Sequence, residues 1–116
     1  MNTSALNIGQ THAGNVCVVT LTGRIDSTNA NDVMTELTRL ISAGEKLILV
    51  DFASVLYLTS AAFRALLVAT DEAERNAARF ELCSLAGHVR ELFEMGGLLE
   101  VFKIHVSRED ALKQFV

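Results

Sequence analysis

Residues 46–67 read KLILVDFASVLYLTSAAFRALL, and the fold turns on where this stretch changes period. Its first seven residues are apolar on both faces and bounded by polar residues, the pattern of a central strand covered on both sides. From Thr59 the spacing becomes helical. Phe63, Leu66, Leu67 and Thr70 fall on one face, and Arg64, Asp71, Glu74 and Arg75 on the other. Residues 53–62, ASVLYLTSAA, read as the connecting loop, with Thr59 as helix cap and Ser60 in the first turn. A strand that delivers a helix in this way is half of a βαβ unit.

Working toward the N-terminus, ALNIGQTH (5–12) reads as a modest edge strand and AGN (13–15) as a turn. VCVVTLTG (16–23) is a β-branched strand that completes a hairpin. In IDSTNANDV (25–33), Asp26, Ser27 and Thr28 offer themselves as caps for a helix that buries Val33, Leu37, Leu40 and Ile41 and stops at Gly44. Toward the C-terminus, ARFELCSL (78–85) is a further strand, and GHVRELFEMGG (87–97) a short helix with Val89, Leu92 and Phe93 inward. LEVFKIH (99–105) holds a last short strand. SREDALKQFV (107–116) opens a terminal helix at Ser107, with Asp110 three residues on as in a capping box. The order β-β-α-β-α-β-α-β-α predicts an α/β fold: a mainly parallel sheet with right-handed crossovers, an antiparallel hairpin at its edge and four helices. There are no repeats or linkers, so residues 1–116 are expected to form one domain.

The chain has 116 residues, half of them hydrophobic and 21% charged, a composition that folds. Its net charge is −4 with no basic run, which argues against nucleic acid and against an electrostatic membrane role. The first residues lack a secretory signal, and no apolar run approaches the ~18 residues of a membrane span, so a cytoplasmic protein is expected. Cys17 and Cys83 lie in strand-like segments and read as buried free thiols.

Enzyme templates fail in turn. There is no GxxxxGK[ST], GxGxxG or GxSxG. His12, His88 and His105 lack metal-ligand spacing, so no metal or cofactor is expected; His88 and His105 read as surface or capping residues. The acidic residues read as solvated charges on helix faces. What remains is the edge at the C-terminal ends of the parallel strands, where sites gather in open α/β sheets. Two segments qualify there, GRIDSTNA (23–30) and ASVLYLTSAA (53–62). The second ends at a helix N-terminus, whose unpaired N–H groups favour an anion. On the residues alone, capping comes ahead of regulation for Thr59 and Ser60.

Three stretches together resemble the STAS domain family, of the kind found in anti-sigma factor antagonists. They are LTGRIDSTNAND (21–32), ILVDFASVLYLTSAAFRALL (48–67) and MGGLLEVFKIHVSREDALKQF (95–115), and the resemblance spans Leu6 to Phe115. It implies a non-catalytic regulator that binds an anti-sigma factor, usually an ATP-dependent serine kinase, and so frees a sigma factor. ATP would belong to that partner. The kinase would phosphorylate a Ser or Thr before the second helix, and a phosphatase would reverse it. A common family pattern there, Asp-Ser-Ser/Thr-Gly, aligns with Thr59-Ser60-Ala61-Ala62 and puts alanine at the usual acceptor position. A Ser/Thr-Ser-Ala-Gly-Leu-Arg variant fits Thr59 to Arg64 better and implies Ser60 as acceptor, with Thr59 second. The partner-binding residues implied are Asp26, Ser27, Thr59, Ser60, Ala61 and Arg64, with Asp26 in a binding or loop-shaping role, on a monomer or weak dimer. Two alternatives stay open. One is an interaction module of another assembly, such as a lipid-transport complex or a different bacterial signalling cascade. The other is a small hydrolase using Ser60.

Overall fold

The structure, a computed structural model, describes residues 6–115; Ala5 and Val116, expected at the ends of the first strand and the last helix, lie outside them. The elements are β1 (Leu6–Ala13), β2 (Val16–Ile25), α1 (Ala30–Ser42), β3 (Leu47–Leu58), α2 (Ser60–Arg75), β4 (Arg79–Cys83), α3 (Gly87–Met95), β5 (Ile104–His105) and α4 (Arg108–Phe115). This is the order expected. The strands form one five-stranded sheet in which each pairs with its sequence neighbour, β1-β2-β3-β4-β5. β1 and β2 are antiparallel and every other pair is parallel. Gly14, at φ +60°, takes the first position of the two-residue hairpin turn, a left-handed conformation that suits glycine.

Alternation along β2 and β3 assigns the two sheet faces. Cys17, Val19, Leu21, Ile48, Val50 and Phe52 point into the main core, beneath α1, α2 and α3. Val16, Val18, Leu49 and Cys83 point the other way and are covered by Ala111 and Phe115 of α4. At the centre of the main core, the fully buried Phe93 ring meets Phe52, Phe63 and Phe102 edge-on at 5.8, 4.9 and 5.8 Å.

The α4 face also carries two paired polar groups. Asp51 is buried, and its carboxylate accepts from Arg108 Nε at 2.8 Å and from the Ala53 N–H at 2.9 Å; Arg108 Nη2 reaches Thr20 Oγ1 at 3.1 Å. His105 is buried rather than at the surface. Its Nε2 lies 2.7 Å from Glu81 Oε1, and Arg79 Nε donates to Glu81 Oε2 at 3.0 Å. Two carboxylates therefore sit inside the fold instead of on helix faces, each held by a partner that satisfies it, as burial requires.

Three further expectations are corrected. β3 does not end near Phe52 but runs to Leu58, so residues 53–58 are strand rather than loop. Its register against β2 slips twice, between Thr20/Thr22 and Gly23/Arg24, and each slip inserts an extra β3 residue. Leu67 is exposed; the buried face of α2 is Ala62, Ala65, Leu66, Ala69 and Ala73. Small side chains line that face, so it is rotated from where the large apolar residues alone would set it. The N-cap of α1 is Asn29, and neither it nor Asp26, Ser27 or Thr28 makes a side-chain capping bond there. At α4, by contrast, the Asp110 N–H donates to Ser107 Oγ at 3.0 Å, the first half of the expected capping box.

Candidate functional site

The parallel pairing of β2 with β3 carries Ile25 opposite Leu58, and so brings the two singled-out segments to one edge. The Thr59 N–H donates to the Ile25 carbonyl at 3.0 Å, fixing the start of α2 against the end of β2. Between the N-terminal halves of α1 and α2 lies a cleft of about 270 Å³ lined by Ser27, Asn31 and Arg64 at its polar side and by Ala30, Met34, Ala61, Ala65 and Val68.

Asp26 shapes the first segment. Its Oδ1 accepts from the Thr28 N–H at 2.9 Å and from the Thr28 hydroxyl at 2.5 Å, and its own N–H donates to Asn29 Oδ1 at 2.9 Å. The Asp26 carbonyl accepts from the N–H groups of Asn29 and Ala30. These bonds, the Thr28 hydroxyl first, hold the Asp26 carboxyl below the usual carboxylate value of 3.8, so it is charged at neutral pH. An aspartate side chain that accepts from the backbone N–H two residues on forms an Asx-turn, and here that turn replaces the capping role expected.

The second segment separates its two hydroxyls. Thr59 stands at the N-cap position of α2 with extended backbone (φ −104°, ψ 178°), yet its hydroxyl makes no capping bond. Thr59 Oγ1 is buried without a hydrogen-bond partner among the described residues. Ser60, the first residue of α2, is exposed. No acidic residue stands in the first turn, and Arg64 lies one turn on, on the Ser60 side of the helix. Just before the helix, Leu56 and Tyr57 are exposed at the end of β3; Arg24 lies 5.5 Å over the Tyr57 ring, and His88 Nε2–H donates to the Leu56 carbonyl at 2.7 Å. The run VLYL reads in the sequence as core rather than binding surface; Val55 and Leu58 are buried as that reading expects, but Leu56 and Tyr57 are exposed, which corrects it for half of the run.

The two cysteines lie elsewhere. Cys17 and Cys83 are free and buried, and burial pushes each thiol up to about 11. The described helices include none long and apolar enough to cross a membrane.

Residues 7–111 match the model of the STAS domain. The chain belongs to the STAS domain family. It is 33% identical, over 98 residues covering 84% of each chain, to a protein of Bordetella bronchiseptica that carries the provisional name anti-sigma factor antagonist BtrV. Among solved structures it superposes on an anti-sigma factor antagonist from Mycobacterium paratuberculosis with a TM-score of 0.85 at 18% identity, covering 94% of this chain and 92% of that one. The phosphorylated form of the Bacillus cell fate determinant SpoIIAA gives a TM-score of 0.74 at 19% identity, covering 95% and 100%. These likenesses establish the STAS fold, a mixed sheet of five strands with four helices.

Proposed function

We propose that this STAS protein is an anti-sigma factor antagonist of the cytoplasm. It binds a serine-kinase-type anti-sigma factor, thereby frees a sigma factor, and is switched off when that kinase phosphorylates Ser60. The relationship to BtrV supports the antagonist role. The observation that carries the switch is the division of labour at the start of α2: Ser60 is exposed while the Thr59 hydroxyl is buried. A kinase can reach the first and not the second. Ala61, at the common acceptor position of the family, has no hydroxyl to modify and lines the cleft instead.

The partner would dock across the strand-end edge, over Ser27, Ala61 and Arg64 at the cleft and over the ordered Asp26 turn. A phosphate on Ser60 adds about −1.5 to −2 charges to a surface that must lose water on docking. It would stand at the helix N-terminus, where the unpaired N–H groups of the first turn stabilise it, and within one turn of the Arg64 guanidinium. The modified chain is then stable alone and costly to desolvate in the complex, so the complex dissociates. A phosphatase resets it, and ATP belongs to the kinase. Among the described residues the three histidines bond elsewhere, His12 to Glu45, His88 to the Leu56 carbonyl and His105 to Glu81, and none of them to Ser60.

The test is affinity purification of the tagged protein from its own cells, with mass spectrometry of prey and phosphopeptides, for wild type, Ser60→Ala and Ser60→Asp. A kinase-like prey retained by Ser60→Ala and lost by Ser60→Asp, with phosphate on Ser60 in unbound wild-type protein, is the expected result. The same prey held equally by both variants removes the switch and leaves the binding role. Transport subunits as prey overturn the sigma-factor reading.

A further inference from the structure

At the opposite end of β2 from this cleft, three side chains of different chemistry converge. His12 of β1 pairs directly across the hairpin with Cys17 of β2, which puts both side chains on one face. Glu45 comes from the turn after α1. That turn is built by two backbone bonds: the Gly44 N–H donates to the Ile41 carbonyl at 3.1 Å and the Glu45 N–H to the Leu40 carbonyl at 3.1 Å. Gly44 at φ +104° makes this helix ending possible, and the residue after it is thereby fixed over the hairpin. His12 Nε2 lies 2.8 Å from Glu45 Oε2. The ligand atoms of His12, Cys17 and Glu45 all lie within 4.8 Å of one another.

We propose that His12 Nε2, Cys17 Sγ and a Glu45 carboxylate oxygen form a binding site for a borderline-soft divalent cation, with Zn²⁺ as the best match. One imidazole, one thiolate and one carboxylate suit Zn²⁺ and not Mg²⁺ or Ca²⁺, which take oxygen ligands. Bonds of about 2.0–2.3 Å in tetrahedral geometry place ligand atoms roughly 3.3–3.7 Å apart, so on binding His12 and Glu45 part by less than about 1 Å and Cys17 Sγ, within 4.8 Å of both, closes by no more than about 1 Å. Cys17 is fully buried, while the side chains of His12 and Glu45 are 46% and 24% exposed. The ion therefore enters from solvent through the two outer ligands, and water fills the fourth position. On binding, the Cys17 thiol releases its proton to solvent. His12, whose Nε2–H donates to Glu45 in the free chain, loses that proton to solvent and presents the Nε2 lone pair, with the ring's remaining proton on Nδ1. The Glu45 carboxylate, which already raises the cost of a bare thiolate at Cys17, becomes a ligand to the charge that removes that cost.

The experiment uses the full chain, stripped with chelator and kept reduced. Zn²⁺ is titrated against a chromophoric chelator, and Co²⁺ is used as a spectroscopic probe. One Zn²⁺ per chain is expected, with a thiolate-to-Co²⁺ charge-transfer band in the near ultraviolet. Cys17→Ser abolishes the band, and His12→Gln and Glu45→Gln each weaken Zn²⁺ binding by at least about tenfold. Absence of one-to-one binding, a Co²⁺ complex lacking the thiolate band, or an affinity unchanged in His12→Gln and Glu45→Gln overturns the site. If Cys17→Ser fails to fold, the two outer variants still decide, because both positions lie at the surface.

Discussion

The Thr59 N–H donates to the Ile25 carbonyl at 3.0 Å, while the hydroxyl of the same threonine is buried with no partner among the described residues. The backbone of Thr59 thus ties α2 to β2, and its side chain contributes nothing polar. Thr59→Val keeps the shape, keeps the backbone bond and removes a desolvated hydroxyl. Because a buried unsatisfied polar group costs about 1–3 kcal/mol, the variant is expected to be as stable as wild type or more stable by up to about 1 kcal/mol. Urea denaturation monitored by circular dichroism reads this directly. A loss of more than about 1 kcal/mol would show that Thr59 caps the helix after all.

Phe93 is the hub of the aromatic core. Phe93→Ala is expected to cost about 3–5 kcal/mol, and Phe93→Leu less, since most of the volume is kept. The denaturant midpoint should fall in that order, with the slope unchanged if only stability has moved. A loss for Phe93→Ala below about 1 kcal/mol would mean that the three edge-on rings close over the space.

Glu81 holds both His105 and Arg79 beneath α4. Glu81→Ala leaves the buried His105 ring without its acceptor and is expected to cost about 2–3 kcal/mol. Amide hydrogen exchange should show the loss concentrated at β4, β5 and α4, where these side chains meet. Uniform loosening, with α1 and α2 equally affected, would contradict the placement.

Asp26 provides a pH test. Its carboxyl is held low mainly by the Thr28 hydroxyl, so its contribution to the turn is fully present above the ordinary carboxylate value of 3.8 and fades as pH falls through the lower folded value. Thr28→Val should raise the Asp26 value toward 3.8, read by carboxyl-carbon NMR titration. An unchanged titration would assign the shift to the backbone bonds from Thr28 and Asn29 instead.

The strand and helix order was legible because α1 keeps a clean helical period, while β2 and the first half of β3 are short, continuous apolar runs of the kind a strand covered on both faces shows. Residues 53–58 misled for a physical reason. With two bulges in β3, burial there falls at Phe52, Val55 and Leu58, every third residue, which is the period of neither a strand nor an amphipathic helix. Leu67 misled because α2 buries alanines, whose small size brings the helix close while giving a weak apolar signal. Asp51, Glu81 and His105 were hidden because the pairs Asp51–Arg108 and Glu81–His105 join different elements, and pairing across a fold leaves no local trace. At the candidate site the sequence located both segments, and the fold supplied what it lacked: which of two adjacent hydroxyls faces solvent. The approach of His12 to Cys17 was in principle readable from the Gly14–Asn15 turn, since a two-residue hairpin pairs the residues at equal distance on either side. Glu45 was not, because only the α1 packing brings it there.

The distribution of helices has a consequence for synthesis. Every strand pairs with the one made just before it, so the sheet can be assembled in the order of translation, with α1, α2 and α3 docking on one face as each emerges. The opposite face has a different schedule. Val16, Val18, Leu49 and Cys83 find no cover until Ala111 and Phe115 have left the ribosome. A nascent chain halted before Arg108 would carry a nearly finished sheet with one bare apolar side and an Asp51 lacking its arginine, a species that chaperones bind and that self-associates when they do not.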